Sequence, residues 1–167
     1  MTITVHGQHD GKGIEPTEFR FAMAEFATGV TVVTAHDSGG PVGFVCQSFA
    51  SVSLDPPMVL FCVDHRSRSW PRIREAGRFC VNVLADHQRE VCQSFGSSQG
   101  KKFDGAQWEL SGWGVPVLSD VLMRVHADID SVTTAGDHDV VIGRVIDVER
   151  VDGGHRPMVF FRGAFGS

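Results

Sequence analysis

The chain has 167 residues, of which 42% are hydrophobic and 21% charged, with a formal net charge of −5. That length buries a core without cross-links, and the acidic balance lacks the basic face of a nucleic-acid binder. No run approaches the roughly 20 apolar residues of a membrane-spanning helix.

The opening MTITVHGQHDGKG lacks the basic start and apolar stretch of a secretory signal, which predicts a cytosolic location. Residues 1–15 read as a polar leader and 16–167 as one domain. Pro16 suits a first helical turn, and Phe19, Met23 and Phe26 recur on one helical face, so a helix is expected to run to about Thr28-Gly29. VTVVTAH and PVGFV are short and β-branched around Asp37-Ser38-Gly39-Gly40, the pattern of a hairpin.

SVSLDPP ends in a double proline that cannot extend a central strand, and MVLFCV after it predicts a strand buried on both faces. SRSWPRIREAG reads as a helix capped by Ser67 or Ser69, with Pro71 in its first turn and Gly77 ending it. RFCVNVL alternates as a strand, and DHQREVCQSFG reads as a helix capped by Asp86. From Ser97 to Gly114 the chain is loop-like, a length more often functional than idle. The last third is strand-rich, with His126, Asp128 and Asp130 on an expected wet face opposite Val125, Ala127 and Ile129.

At least six strands, three short helices and no regular βαβ alternation point to a closed or half-closed antiparallel barrel. There is no GxGxxG and no Walker loop. Cys46, Cys62, Cys80 and Cys92 form no CxxC pair and sit mostly in apolar runs, so free thiols without a redox role and no metal site are expected. Spacing alone leaves Ser67, Arg68 and Ser69 open between a phosphate-binding turn and an ordinary helix start. His138 is likewise open between ligand contact and structure, and Arg162 between ligand contact and surface.

The order FRFAMAEFATGVTVVTA, PVGFVCQSFASVSLDPPMVLFCV, SRSWPRI, RFCVNVL, KKFDGAQW, GDHDVVIGRV and PMVFFRG resembles the short-chain flavin reductases. These are the reductase components of two-component flavin-dependent monooxygenases, and the likeness runs from about Phe19 to Phe165. CQSF and SRSW look closest to the members serving actinobacterial aromatic hydroxylases.

The resemblance implies a mainly β split barrel of Greek-key, FMN-binding type with a few short helices, assembled as a homodimer. It implies FMN or FAD as the flavin and NADH, with NADPH as the second choice, as the hydride donor. Gly43, Phe44, Val45, Cys46, Gln47 and Ser48 would border the flavin ring, and Cys62, Val63 and Asp64 the ribityl chain. Ser67, Arg68 and Ser69 would meet the phosphate, with Lys102 and Phe103 closing over it. His138 would position the nicotinamide, Phe161 and Arg162 would contact the dinucleotide, and Asp137 and Asp139 would be turn and solvent-facing residues. Asn82 would either support the site or be a satisfied core residue. Reduced flavin would pass to a separate monooxygenase, by diffusion or by contact. The alternatives are a flavin-binding electron-transfer module of the same fold and a structural protein that pairs through exposed edges.

Overall fold

The computed structural model describes residues 13–98, 101–151 and 153–166. Most of the 1–15 leader lies outside them. Helix α1 (Pro16–Met23) is followed by strands β1 (Thr28–Gly29), β2 (Thr31–Asp37), β3 (Gly40–Cys46), β4 (Ala50–Leu54) and β5 (Pro57–Asp64). Then come α2 (Trp70–Ala76), β6 (Arg78–Val83), α3 (Arg89–Gly96), β7 (Trp108–Leu110) and β8 (Pro116–Leu118). Two long strands, β9 (Met123–Ala135) and β10 (His138–Arg150), precede the short β11 (Val159–Phe161) and β12 (Ala164–Gly166). No helix among the described residues is long and apolar enough to cross a membrane.

Seven strands form one antiparallel sheet in the order β3-β2-β6-β9-β10-β5-β4. The sheet curls into a barrel that stays open along the seam between β3 and β5. Across that seam a side chain replaces the missing ladder. The Cys62 N–H donates to Ser48 Oγ (2.8 Å), and the Ser48 hydroxyl donates to the Cys62 carbonyl (3.2 Å). This is the mainly β split barrel that the strand pattern and the resemblance predict.

Two cores lie on opposite faces of β2. The barrel interior holds Val33, Phe61, Phe79, Val81, Val125, Ala127 and Val141, closed at one end by Trp70 and Ile73 of α2. The second core packs Val32 and Leu84 against Phe95, Leu118 and Met158. This double burial corrects the local reading of two strands. MVLFCV in β5 is buried on one face only, whereas RFCVNV in β6 is buried on both, its outward Asn82 covered by β8, whose Leu118 N–H donates to the Asn82 amide oxygen.

Other local expectations shift for physical reasons. α1 stops at Met23, and Phe19 (57% exposed) and Phe26 (66% exposed) face outward, since nothing among the described residues covers them. α3 starts at Arg89, so Asp86 does not cap it; that carboxylate instead accepts from Arg156 Nε at 3.3 Å. Ser69 does precede α2, but its hydroxyl donates to the Gly43 carbonyl (2.9 Å) and caps nothing. Gly77 ends α2 with φ of 72°, as its position predicts.

His126 overturns the wet-face reading. It is 0% exposed, and neither ring nitrogen has a hydrogen-bond partner. Glu149 Oε1 stands 3.8 Å from Nε2, but the Glu149 carboxylate accepts from Arg124. Burial pushes the imidazole's pKa down from its ordinary 6.5, against the pull of Glu149 and Asp147. The fold therefore holds His126 neutral while the unfolded chain takes up a proton below pH 6.5. Stability from this group is present above that pH and falls as pH drops below it, by at most about 1.4 kcal/mol per pH unit. Urea midpoints at pH 7.5 and 5.5 should differ more for the native protein than for His126→Leu; equal differences would remove His126 from the acid response.

Candidate active site

The open seam and the start of α2 create a groove made of two hollows. The first, of about 370 Å³, is lined by Phe44, Val45, Cys46, Gln47 and Ser48 from the end of β3, by Cys62, Val63 and Asp64 of β5, and by Ser67 and His138. The second, of about 510 Å³, is lined by Gly43, Arg66, Ser67, Arg68, Ser69, Arg72, Ser97, Lys102 and Phe103 among others. Ser67 borders both. Of the residues expected from sequence, the structure brings together every one from Gly43 to Phe103, and His138 with them.

Phe161 and Arg162 lie elsewhere. The Arg162 guanidinium donates to Glu25 (2.6 Å) and sits over the Phe161 ring at 5.0 Å, while its backbone N–H donates to the Ala24 carbonyl. Those contacts tie the turn after α1 to β11. Asn82 is fully satisfied inside the barrel wall, donating to Val32 O and Thr34 Oγ1 and accepting from the Leu118 N–H. It is a core residue.

The second hollow is cationic in a chain of net charge −5. Two of its guanidiniums are already committed. Arg72 Nε donates to Asp37 (2.7 Å), which lowers that carboxyl to about 2, and Arg66 donates to Asp64 (2.6 Å), which holds Asp64 well below the usual carboxylate range. Arg68 donates to the Ser98 carbonyl, and Lys102 Nζ donates to Gly43 O (2.9 Å) and Ser69 Oγ (3.3 Å). Neither Arg68 nor Lys102 pairs with a carboxylate among the described residues. Burial and the nearby Arg68 push the Lys102 pKa down. An anion between the two cations would relieve that repulsion.

The first hollow is less charged. The Ser48 hydroxyl is spent on the seam, and the Gln47 amide accepts from Thr28 Oγ1 at 3.5 Å. His138 Nδ1 lies 2.7 Å from Asp137 Oδ1, leaving the other ring nitrogen outside that contact. Cys62 is half-buried beside this hollow, and all four cysteines are free, with burial driving Cys80 up to about 12. Two hollows of unequal charge, joined end to end, suit a ligand with a flat ring at one end and a phosphate at the other.

A family model described as Flavin reductase like domain matches residues 23–167. The chain belongs to this family. The reductase is 44% identical over 163 residues to the reductase subunit HsaB of a flavin-dependent monooxygenase from Rhodococcus jostii, covering 98% of this chain and 83% of that protein. It is 40% identical over 154 residues to the FMN reductase (NADH) SmoA of Agrobacterium fabrum, covering 92% of this chain and 87% of that one. The crystal structure of nitrilotriacetate monooxygenase component B from Mycobacterium thermoresistibile matches with a TM-score of 0.86 at 44% identity, over 89% of this chain and 83% of that one.

One feature of the reductase departs from the solvent-facing reading. Asp139 is 7% exposed and accepts from Trp70 Nε1 (2.8 Å) and Thr134 Oγ1 (3.0 Å), with His65 Nε2 also 3.0 Å away. The signal was present in the strand period. His138 faces the groove, so Asp139 and Val141 must face the interior.

Proposed function

We propose that the reductase holds FMN or FAD along the two-part groove, uses NADH to reduce it, and releases reduced flavin to a separate monooxygenase. The observation that carries this is the continuity of the ring-sized hollow with the cationic one at Ser67. The groove residues fit a flavin phosphate: Arg68 and Lys102 offer uncompensated charge, and Ser67 offers a hydroxyl at the join. Gly43 to Ser48 and Cys62 to Asp64 would bracket the ring and ribityl chain across the seam. When bound, the flavin accepts a hydride from the nicotinamide, so the chain need only place the two and keep water from between them.

His138, beside Asp137, orients the nicotinamide in this reading and transfers no proton. Phe161 and Arg162 are assigned to the dinucleotide only through the resemblance; their position against Glu25 and Ala24 supports a structural role at the end of α1. NADH is favoured because Arg66 and Arg72 are already paired with Asp64 and Asp37 and Arg68 is assigned to the flavin phosphate, which leaves no guanidinium of the groove for a 2′-phosphate.

The proposed assembly is a homodimer. Phe19, Phe21 and Phe26 near α1, together with Leu54 (93% exposed) on the edge strand β4, form apolar surface that a second copy would cover. A separate monooxygenase partner is supported by the likeness to HsaB, its aromatic substrate rests on the CQSF and SRSW resemblance alone, and the cytosolic setting is supported by four free cysteines. The relatives are named as reductases, which favours this reading over a flavin carrier without turnover.

The test is NADH oxidation by the purified protein with FMN, with FAD and without added flavin. Flavin-dependent turnover is expected. His138→Ala should raise the KM for NADH by about tenfold, the worth of one good hydrogen bond, while flavin affinity stays within about twofold. Equal loss of both, or loss of neither, removes His138 from the nicotinamide side.

A further inference from the structure

We propose that Asp139 is a positioning residue that holds the turn from Arg66 to Ser69 in its ligand-ready shape; this rests on the flavin-groove reading above. The turn has few anchors of its own. Its backbone is tied by His65 N–H to Asp137 O (3.0 Å), by Arg66 N–H to Asp64 Oδ1 (2.7 Å) and by Ser67 N–H to Asp64 O (2.9 Å), all at its first residues. At its end the Ser69 hydroxyl donates to Gly43 O and accepts from Lys102 Nζ. The Arg66 and Arg68 side chains reach outward to exposed partners and give little restraint of their own.

Asp139 reaches the turn from beneath at both ends. One carboxylate oxygen faces His65 Nε2, immediately before Arg66, and the other accepts from Trp70 Nε1, immediately after Ser69. The four residues between are the ones that line the cationic hollow and, at Ser67, the join with the ring hollow. Thr134 of β9 steadies the first oxygen from the side. The Trp70 N–H and then His65 hold the carboxyl below its ordinary range, so it is an anion throughout neutral pH.

The strand period gives this arrangement its reach. His138 and Asp139 are consecutive on β10 and face opposite sides, one into the ring hollow and the other into the barrel interior. A single strand therefore sets both the nicotinamide-side histidine and the phosphate-side turn. Loosening Asp139 should release the turn, and with it Ser67 at the join, while the rest of the ring hollow, from Phe44 to Ser48 and from Cys62 to Asp64, stays in place.

The predicted signature is selective. Riboflavin lacks the phosphate, so it reports on the ring hollow alone, while FMN reports on both. Asp139→Ala leaves the buried Trp70 N–H without an acceptor and should raise the FMN dissociation constant by about tenfold, with riboflavin within about twofold. Asp139→Asn keeps an acceptor for Trp70 and should recover most of the loss, since Thr134 and His65 can each turn to accept from the amide. Trp70→Phe, which removes one donor and keeps a ring, should give a smaller shift in the same direction and serves if the alanine variant does not fold. Binding is read by flavin fluorescence well below each variant's unfolding temperature. If the native protein prefers FMN and all three variants keep that preference, Asp139 is structural only and the proposal falls. If the native protein binds FMN no better than riboflavin, the phosphate assignment itself falls, and this proposal with it.

Discussion

Lys102→Met is expected to raise the dissociation constant of FMN by about ten- to a hundredfold, the range for a charge-assisted bond to phosphate lost from a partly buried site. The ammonium sits between Gly43 O and Ser69 Oγ, and burial and then the charge of Arg68 push its pKa down. Phosphate binding would restore the proton's hold. Two further readings follow from the sign. The FMN affinity of the native protein should fall on the alkaline side at lower pH than for an ordinary lysine, because the free-site pKa is depressed. It should also weaken with salt, and Lys102→Met should flatten both trends. A variant that binds FMN with native affinity would move the phosphate off this cleft.

Gly43→Ala should damage the fold and the groove together. A Cβ built at Gly43 lies 2.9 Å from the Val33 carbonyl oxygen and 2.9 Å from Phe95 Cε1. The carbonyl cannot yield, because Gly43 pairs with Thr34 in the β2–β3 ladder and Val33 is its neighbour in that strand. Relief must come from Phe95, which is 1% exposed in the second core and carries α3 with it. The expected cost is about 3 kcal/mol, a drop in Tm of about 6–12 °C. α3 leads directly into Gly96, Ser97 and Ser98 on the wall of the cationic hollow, so FMN affinity should fall as well. Thermal unfolding and flavin titration of the same preparation check both halves. A fully stable variant would mean that α3 shifts freely, and the coupling between core and groove would be wrong.

Elements whose cause is local were legible in the sequence. The β2–β3 hairpin follows from β-branched runs about Gly39-Gly40, and α2 from Pro71 at its start and Gly77 at its end. The groove residues from Gly43 to Lys102 were legible through the ordered motifs, not through spacing, since Ser67-Arg68-Ser69 alone reads equally as a helix start. What escaped depends on partners distant in the chain. β6 is covered outside by β8, whose Leu118 N–H reaches Asn82, and no local period reveals that. His126 is buried at a register irregularity between Val145 and Asp147, where simple alternation fails. Asp139 was misread because GDHD looks like a polar turn, although β10 begins at His138 and turns the next side chain inward. The outward face of α1 misleads for the opposite reason: its apolar period is real, but nothing among the described residues covers it.

Among the described residues Ser67 is the one common to the linings of the two hollows, and that narrow join has a consequence for how affinity is assembled. On the proposed placement FMN is a bivalent ligand, with the ring and the phosphate as its two weak heads and the ribityl chain as a short tether. Binding by one head raises the effective concentration of the other at its own hollow, so modest subsites yield a tight whole without any single strong contact. Inorganic phosphate and a phosphate-free flavin ring should then occupy the groove side by side, neither displacing the other, and FMN should displace both.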